Sequence, residues 1–394
     1  MSPLGSIFGA WSSLRRFNKL DRAEREIVFY AESRADWPHL GPIIEELTGS
    51  LGRSLCYITS DESDPLLAAE PPGIRAFFVG DGSTRTTFFK LLEASVFVMT
   101  LPDLETFHLK RSVHPVHYVY VFHSMVSTHM IYRKGAFDAY DTILCVGPHH
   151  DAEIRRTEEV YGLPPKELVP HGYARLDAIL ASASPRGGRA TGEGGGRRLV
   201  LAPSWGDCSF IEAPAGAELI SRLLDAGHDV VLRLHPMTVR RFPKLSGELM
   251  QRFGARTFRI ETDMREQASL HESELMIGDW SGAALEYAFG LERPVLFIDM
   301  PKKVNNPEYE RIGLMTIEES IRSEIGAIVD PADPSAALPL VEELCGDPDA
   351  FRDRLREARQ RAVYNIGRSA SIGAAEVARL ADAPRTGAQA RTST

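Results

Sequence analysis

Short apolar runs, each followed by a segment in which apolar positions recur every three or four residues, repeat along most of this 394-residue chain. Ile27–Tyr30, Leu55–Ile58, Ala76–Val79, Val96–Thr100, Tyr118–Phe122 and Thr142–Val146 read as strands buried on both faces. A strand covered by helices on both sides has no polar face and so shows no alternation. Helical spacing between the runs, as over 40–51, completes the βα alternation of a parallel sheet. The pattern stops over 181–198, where Ser-Pro, Gly-Gly and Gly-Gly-Gly displace side chains able to enter a core, as in a linker or long loop. It resumes at Leu199–Ala202 and continues through a helix at 217–226 and strands at Asp229–Leu234, Thr257–Ile260, Leu275–Gly278 and Val295–Ile298. Beyond Pro348, the residues Phe351, Leu355, Ala358 and Ala362 keep helical spacing among arginines. The expected organisation is therefore two α/β domains, 21–180 and 199–382, joined by the 181–198 linker and followed by a polar, disordered tail over 383–394.

Residues 1–20 follow a different rule. Leu4, Ile7, Phe8, Trp11, Leu14, Phe17 and Leu20 form a helical stripe instead of the continuous apolar block of a signal peptide. Arg15, Arg16 and Lys19 accompany it without any acid. Such a helix either packs on its own domain or lies at an anionic membrane surface. Elsewhere no apolar run approaches the roughly 20 residues that span a bilayer. A composition of 43% apolar and 25% charged residues excludes disordered and fibrous classes, and the length suffices for two cores. The net charge of −9 gives no general attraction to nucleic acid, so an anionic ligand needs a local site. Cys56, Cys145, Cys208 and Cys345 are far apart and form no CxxC pair, as expected of a reducing compartment and no structural zinc.

Four segments place unusual polar residues after expected strands, where ligands of parallel sheets bind. His123 closes the Tyr118–Phe122 run; a histidine there suits a general base facing the cleft, or a core histidine bonded to backbone. Leu201-Ala-Pro-Ser-Trp-Gly206 opens a strand into a loop carrying Ser204. Arg233 and His235 lie two apart at a strand end, projecting to the same side if extended. They suit an anion such as a phosphate, unless Arg233 pairs with a local carboxylate. Met276–Phe289 reads as strand, tight turn and helix, with Asp279, Ser281 and Gly282 at the turn and Glu286 within the helix. Free N–H groups and little side-chain bulk at that helix start make a phosphate cradle, although Asp279 or Ser281 could serve only as a cap. Asp279 and Glu286 either touch the ligand or support the turn. Seven of the twelve histidines fall between His108 and His150, but without HExxH or a cysteine partner they do not read as a metal site. GxGxxG after the first strand, the P-loop pattern and GxSxG are all absent.

Taken in order, His123, Gly172-Tyr-Ala-Arg-Leu-Asp177, Ala202-Pro-Ser-Trp205, Arg233-Leu-His-Pro236, Asp279-Trp-Ser-Gly282 and Arg293-Pro-Val-Leu-Phe297 resemble the CDP-glycerol glycerophosphotransferase family of teichoic-acid primases and polymerases. By motif the resemblance covers roughly residues 115–300. It implies a GT-B architecture, two Rossmann-like domains facing a cleft. The first would be the acceptor and catalytic domain, the second the nucleotide-donor domain. The implied reaction moves glycerol phosphate or a similar polyol phosphate from a CDP-linked donor to a lipid-linked or polysaccharide acceptor of the cell envelope, releasing CMP. Under it His123 is the catalytic base and His235 its catalytic partner at the donor pyrophosphate. Ser204, Arg233, Asp279, Ser281, Gly282 and Glu286 bind substrate, and no metal or cofactor is called for. It also implies a cytoplasmic protein, peripheral on the inner membrane face through the first helix. Alternatives on the same scaffold are a glycosyltransferase or sugar-nucleotide epimerase using another nucleotide sugar, or a non-catalytic nucleotide-binding scaffold. This chain departs from the family at four points. His-Gly is His123-Ser124, Arg-Pro-His-Pro is Arg233-Leu-His-Pro236, Thr-Trp-Arg is Ser204-Trp-Gly206, and the paired serines are Ser281-Gly282.

Overall fold

The computed structural model describes residues 3–69, 71–182, 196–206, 209–263 and 267–384, so most of the expected linker and tail lies outside the described residues. Seven parallel strands form the first sheet: β1 (Ile27–Ala31), β2 (Leu55–Thr59), β3 (Ile74–Phe78), β4 (Val96–Met99), β5 (His117–Val121), β6 (Thr142–Cys145) and β7 (Glu167–Pro170). Their spatial order is β3-β2-β1-β4-β5-β6-β7. The second sheet has β8 (Arg198–Ala202), β9 (Asp229–Arg233), β10 (Phe258–Glu261), β11 (Leu275–Gly278), β12 (Val295–Ile298) and β13 (Gly326–Val329), in the order β10-β9-β8-β11-β12-β13. All pairings are parallel; Val28, for instance, lies opposite Cys56 on one side and Phe97 on the other.

Alternate residues of each strand enter different cores, as the two-residue period requires. In the first sheet Ile27, Phe29, Tyr57, Val98 and Val119 face one cluster, while Val28, Tyr30, Ile58, Phe97 and Tyr118 face another. The second sheet divides likewise, with Leu199, Leu201 and Leu232 on one face and Val200, Val231 and Met276 on the other. That last set belongs to the same apolar cluster as Phe97 and Tyr118, so one core runs continuously between the two units.

The stripe on the Pro3–Asn18 helix is partly consumed by its own domain. Leu14 and Phe17 are buried, and Phe17 packs edge-on against Phe77 and Phe88 at 5.5 and 5.3 Å. Ser13 Oγ accepts the Phe78 N–H at 2.9 Å. Ile7 and Phe8, 52% and 74% exposed, remain at solvent. Among the described residues no helix is long and apolar enough to cross a membrane.

The second unit was expected to run to residue 382, but the chain returns to the first. Tyr364 N–H donates to Val146 O at 2.8 Å and Asn365 Nδ2 to Pro170 O at 2.6 Å, after which the Ser369–Asp382 helix covers the first sheet. Its Ala374, Val377, Leu380 and Ala381 share a core with Ile43, Ile44 and Leu47 of the Trp37–Thr48 helix. Without that helix this sheet face would present a large apolar surface to water.

Candidate active site

In the second sheet the strand order reverses between β8 and β11, which opens a crevice at their carboxyl ends. The loops leaving these two strands are pinned together where Ser204 N–H donates to Asp279 Oδ1 at 2.8 Å. Asp279 is only 2% exposed, and burial pushes its carboxyl up to about 6 against the hydrogen bonds it receives. Its Oδ1 thus ties the two loops, and its Oδ2 is buried without a hydrogen-bond partner among the described residues. Ser281 is the N-cap of the Gly282–Leu291 helix, its hydroxyl accepting the Ala283 N–H at 3.3 Å. Gly282 meets the first unit directly. A Cβ on it would stand 2.6 Å from Ser124 Oγ and 3.2 Å from Val126 Cγ1, so any larger residue must displace the Ser124 hydroxyl and press on Val126.

Arg233 ends β9 as a buried side chain. Its Nη1 donates to Glu261 Oε2 at 2.5 Å and to Ser269 Oγ at 2.9 Å, the local-carboxylate arrangement that competes with anion binding. His235 caps the short Pro236–Arg241 helix by accepting the Met237 N–H on Nδ1 at 3.0 Å. Burial, helped by the Lys303 ammonium, lowers its pKa to about 4. A neutral imidazole whose Nδ1 accepts must carry its proton on Nε2, so His235 offers the cleft a hydrogen-bond donor and not a base.

A cavity of about 120 Å³ collects these groups. Arg233, His235, Ser281 and Glu286 line it from the second unit, and Arg175 and Ile179 from the Ala174–Ser182 helix of the first. Arg175 Nε donates to Glu286 Oε2 at 2.7 Å, and Tyr173 OH lies 2.8 Å from Glu286 Oε1 and 3.0 Å from the His123 carbonyl. The terminal guanidinium nitrogens of Arg175 make no hydrogen bond among the described residues, which leaves its donor fork available. Sequence reading missed Arg175 and Tyr173 as site residues. Their signal was the Gly172–Asp177 segment itself, which supported a resemblance but received no chemical role.

His123 follows β5 and remains open to solvent, although protein surrounds it on most sides: His39 and Tyr132 lie 6.3 and 5.9 Å away by ring centroid. That crowding lowers its pKa, and the Asp36 and Glu286 charges and a bond to the Thr100 backbone offset only part of the shift. His123 is thus neutral at pH 7 and able to accept a proton. Arg233, His235, Ser281 and Glu286 share the cavity, whereas the His123 side chain does not line it; Tyr173 OH joins the His123 carbonyl to Glu286, whose charge acts on the imidazole, and Ser204, Asp279 and Gly282 also lie outside the lining. Among the described residues no group of three or more His, Cys, Asp or Glu side chains is arranged to hold a metal.

No protein-family model and no curated relative matches this chain by sequence. Solved structures match throughout its length. A Listeria monocytogenes protein assigned as a UDP-N-acetylglucosamine 2-epimerase superimposes with a TM-score of 0.62 at 13% identity, covering 92% of this chain and 98% of that one. UDP-GlcNAc 2-epimerase from Neisseria meningitidis bound to UDP-GlcNAc gives 0.58 at 11% identity, covering 90% and 99%. A glycosyltransferase from Rickettsia africae gives 0.54 at 10% identity, covering 92% and 100%. The chain therefore has the GT-B fold, two Rossmann-like parallel-sheet domains facing a cleft, as the sequence led us to expect. These likenesses extend to glycosyltransferases and sugar-nucleotide epimerases and do not single out the glycerophosphotransferase family.

Proposed function

We propose that this protein is a transferase that holds a nucleotide-diphosphate-linked sugar in the second unit and passes the linked group to an acceptor hydroxyl activated by His123. The observation that carries the reading is the cavity itself, where the free donor fork of Arg175 and the Nε2–H of His235 stand beside the capped Ser281 helix start. Those are the groups that a pyrophosphate recognises, while Glu286 offers acceptor oxygens to hydroxyl donors. Neutral His123 takes the acceptor proton as the new bond forms, and the leaving nucleoside diphosphate is stabilised by fixed donors. The acceptor enters from the first unit. The exposed Ile7 and Phe8, on a helix that also exposes Arg15 and Arg16 and is followed by the exposed Lys19, support an acceptor presented at an anionic membrane face.

A second reading keeps the same residues and changes the donor. The ordered motifs from His123 to Asp279-Trp-Ser-Gly282 favour a CDP-linked polyol, with polyol phosphate transferred and CMP released. Nucleotide release is the deciding assay, with UDP-sugars, GDP-sugars, CDP-glycerol and CDP-ribitol offered separately to the purified protein together with membranes as acceptor source. UDP or GDP release supports sugar transfer, and CMP release the polyol reading. Epimerised donor formed without an acceptor moves the protein to the epimerases, and binding without any product leaves a nucleotide-binding scaffold. In either transfer reading His123→Ala lowers kcat by about 10²- to 10⁴-fold and leaves donor affinity within about threefold, because the base faces the donor from the other unit. Normal turnover in that variant would remove His123 from the mechanism.

A further inference from the structure

The loop that follows His123 is gripped from both units by buried carboxylates. Ser127 N–H donates to both oxygens of Glu318 at 3.1 and 3.2 Å, and Glu318 belongs to the Ile317–Ile325 helix of the second unit. Thr128, the next residue, donates its N–H and hydroxyl to Glu153 Oε2 at 2.5 and 2.6 Å, and Glu153 belongs to the Pro148–Tyr161 helix of the first. On the other edge of the loop His149 Nε2 lies 3.0 Å from Met125 O, and Asn306 Nδ2 donates to His129 O at 2.9 Å. Glu153 and Glu318 are 1% and 5% exposed. A buried carboxylate is costly unless it is well bonded, and these two take their bonds from the backbone of one loop. Three of the histidines enriched in this stretch surround Glu153 without serving the chemistry.

We propose that Glu318 is a positioning residue for His123: by capturing Ser127 N–H from the opposite unit, it fixes the His123 loop only while the cleft is closed. The inference rests on the reading of His123 as the base. Glu153 holds Thr128 whether the cleft is open or shut, since both lie in the first unit. Ser127 gains its partner only when the second unit arrives, so the loop reaches its final place together with donor-side closure. A 1 Å displacement of a reacting group is enough to cost about 10²-fold in rate.

Several charged and titratable groups face Glu318. Glu153, His129 and Tyr132 approach from the first unit, Arg322 lies one turn along its own helix, and Asp279 lines the same small void. Arg322 gives Nη1 to Asp299 and lies over the rings of Trp280 and Phe297, while its buried Nε and Nη2 have no hydrogen-bond partner among the described residues. Burial would push Glu153 up and His129 down, but their 3.4 Å contact reverses both shifts. Among the described residues Glu318 makes no ion pair, and its charge reaches His129 only as a weaker contribution than that of Glu153. Burial, augmented by the Glu153 charge and only partly offset by its hydrogen bonds, raises it to about 7. Closure therefore binds a proton at Glu318. Its contribution is complete below the ordinary carboxylate pKa and is lost as pH rises through 7.

Hydrogen exchange of the amides over 124–131 tests this without any substrate, in wild type, Glu318→Ala and Glu318→Gln. Glu318→Ala is expected to speed exchange at Ser127 by about tenfold or more while distant β-strand amides keep their protection. Glu318→Gln retains an acceptor oxygen and should restore that protection. Between pH 5 and 8 the wild-type opening equilibrium, corrected for intrinsic exchange, should rise, and that of the Gln variant should stay flat. With a donor in hand, kcat should fall about 10- to 100-fold in the Ala variant with donor KM within about threefold, and recover in the Gln variant. Unchanged exchange at Ser127 in Glu318→Ala would overturn the proposal, as would a Gln variant that behaves like the Ala variant. The expected exchange pattern, found alongside no turnover of any donor, would uphold the clasp and sink the transfer reading instead.

Discussion

Two of the departures from the glycerophosphotransferase pattern meet at a single point in space. That family has glycine after the catalytic histidine and a second serine at the helix start, whereas this chain has Ser124 and Gly282. The position a Cβ on Gly282 would take is 2.6 Å from Ser124 Oγ, so the two positions compete for one space. Real Cβ contacts do not reach below 3.0 Å, and a serine at 282 would add a further atom to the same crowded space. Gly282→Ser alone must turn the Ser124 hydroxyl away or part the units. Overpacking of this kind costs about 1–3 kcal/mol, equivalent to roughly 5- to 150-fold in any equilibrium that requires closure. Ser124→Gly alone removes the obstacle and should change little. The double variant Ser124→Gly/Gly282→Ser should recover most of the loss, short of wild type because Val126 Cγ1 at 3.2 Å must still yield by a few tenths of an ångström. The assay is calorimetric binding of UDP and CDP to all four proteins, with thermal denaturation as a control for folding. A coupling energy of about 1 kcal/mol or more, opposite in sign to the single loss, is expected for groups in direct contact. Additive effects would show that the two residues do not share this space and would refute the closed arrangement of the cleft.

Other outcomes follow from individual contacts. Arg175→Ala should raise donor KM by about 10- to 100-fold with a smaller change in kcat, and Arg175→Lys should not restore it, because a lysine cannot bond Glu286 and present a fork together; steady-state kinetics decide the point. Phe17→Ala should cost about 3–5 kcal/mol in denaturant unfolding, since the ring is 1% exposed between Phe77 and Phe88. Phe8→Ser should leave stability unchanged and weaken only binding to anionic vesicles, as measured by sedimentation. Asp279 holds its proton in the folded state up to about pH 6 and when unfolded only to its ordinary value near 3.8. Its effect on wild-type stability is therefore a loss as pH rises from 4 to 6, on the order of 3 kcal/mol in full. Asp279→Asn, which still accepts from Ser204, should lack that fall in melting experiments across pH.

How much of this was legible in the sequence depends on where each residue lies. The central strands announced themselves because burial on both faces leaves an unbroken apolar run, as in Ile27–Ala31 and Leu275–Gly278. The edge strands Glu167–Pro170 and Gly326–Val329 did not, because half-exposed positions, a proline and a glycine remove that signal. The apolar stripe of the Ser369–Asp382 helix was equally uninformative about its destination, since a stripe marks a buried face without naming the sheet that buries it. The site divides along the same line. Residues at strand ends could be named one by one, because parallel sheets bind ligands there, but no rule of spacing joins Arg175 to Glu286 across 111 residues or Ser127 to Glu318 across 191. Those cross-cleft pairs decide what each named residue is free to do. Arg233, the expected anion ligand, is tied to Glu261, while Arg175, given no role by its motif, brings the open fork from the opposite unit. A ligand held between that fork and His235 would touch both units at once, and its binding would necessarily favour the closed cleft in which Ser127 meets Glu318 and the His123 loop is in place.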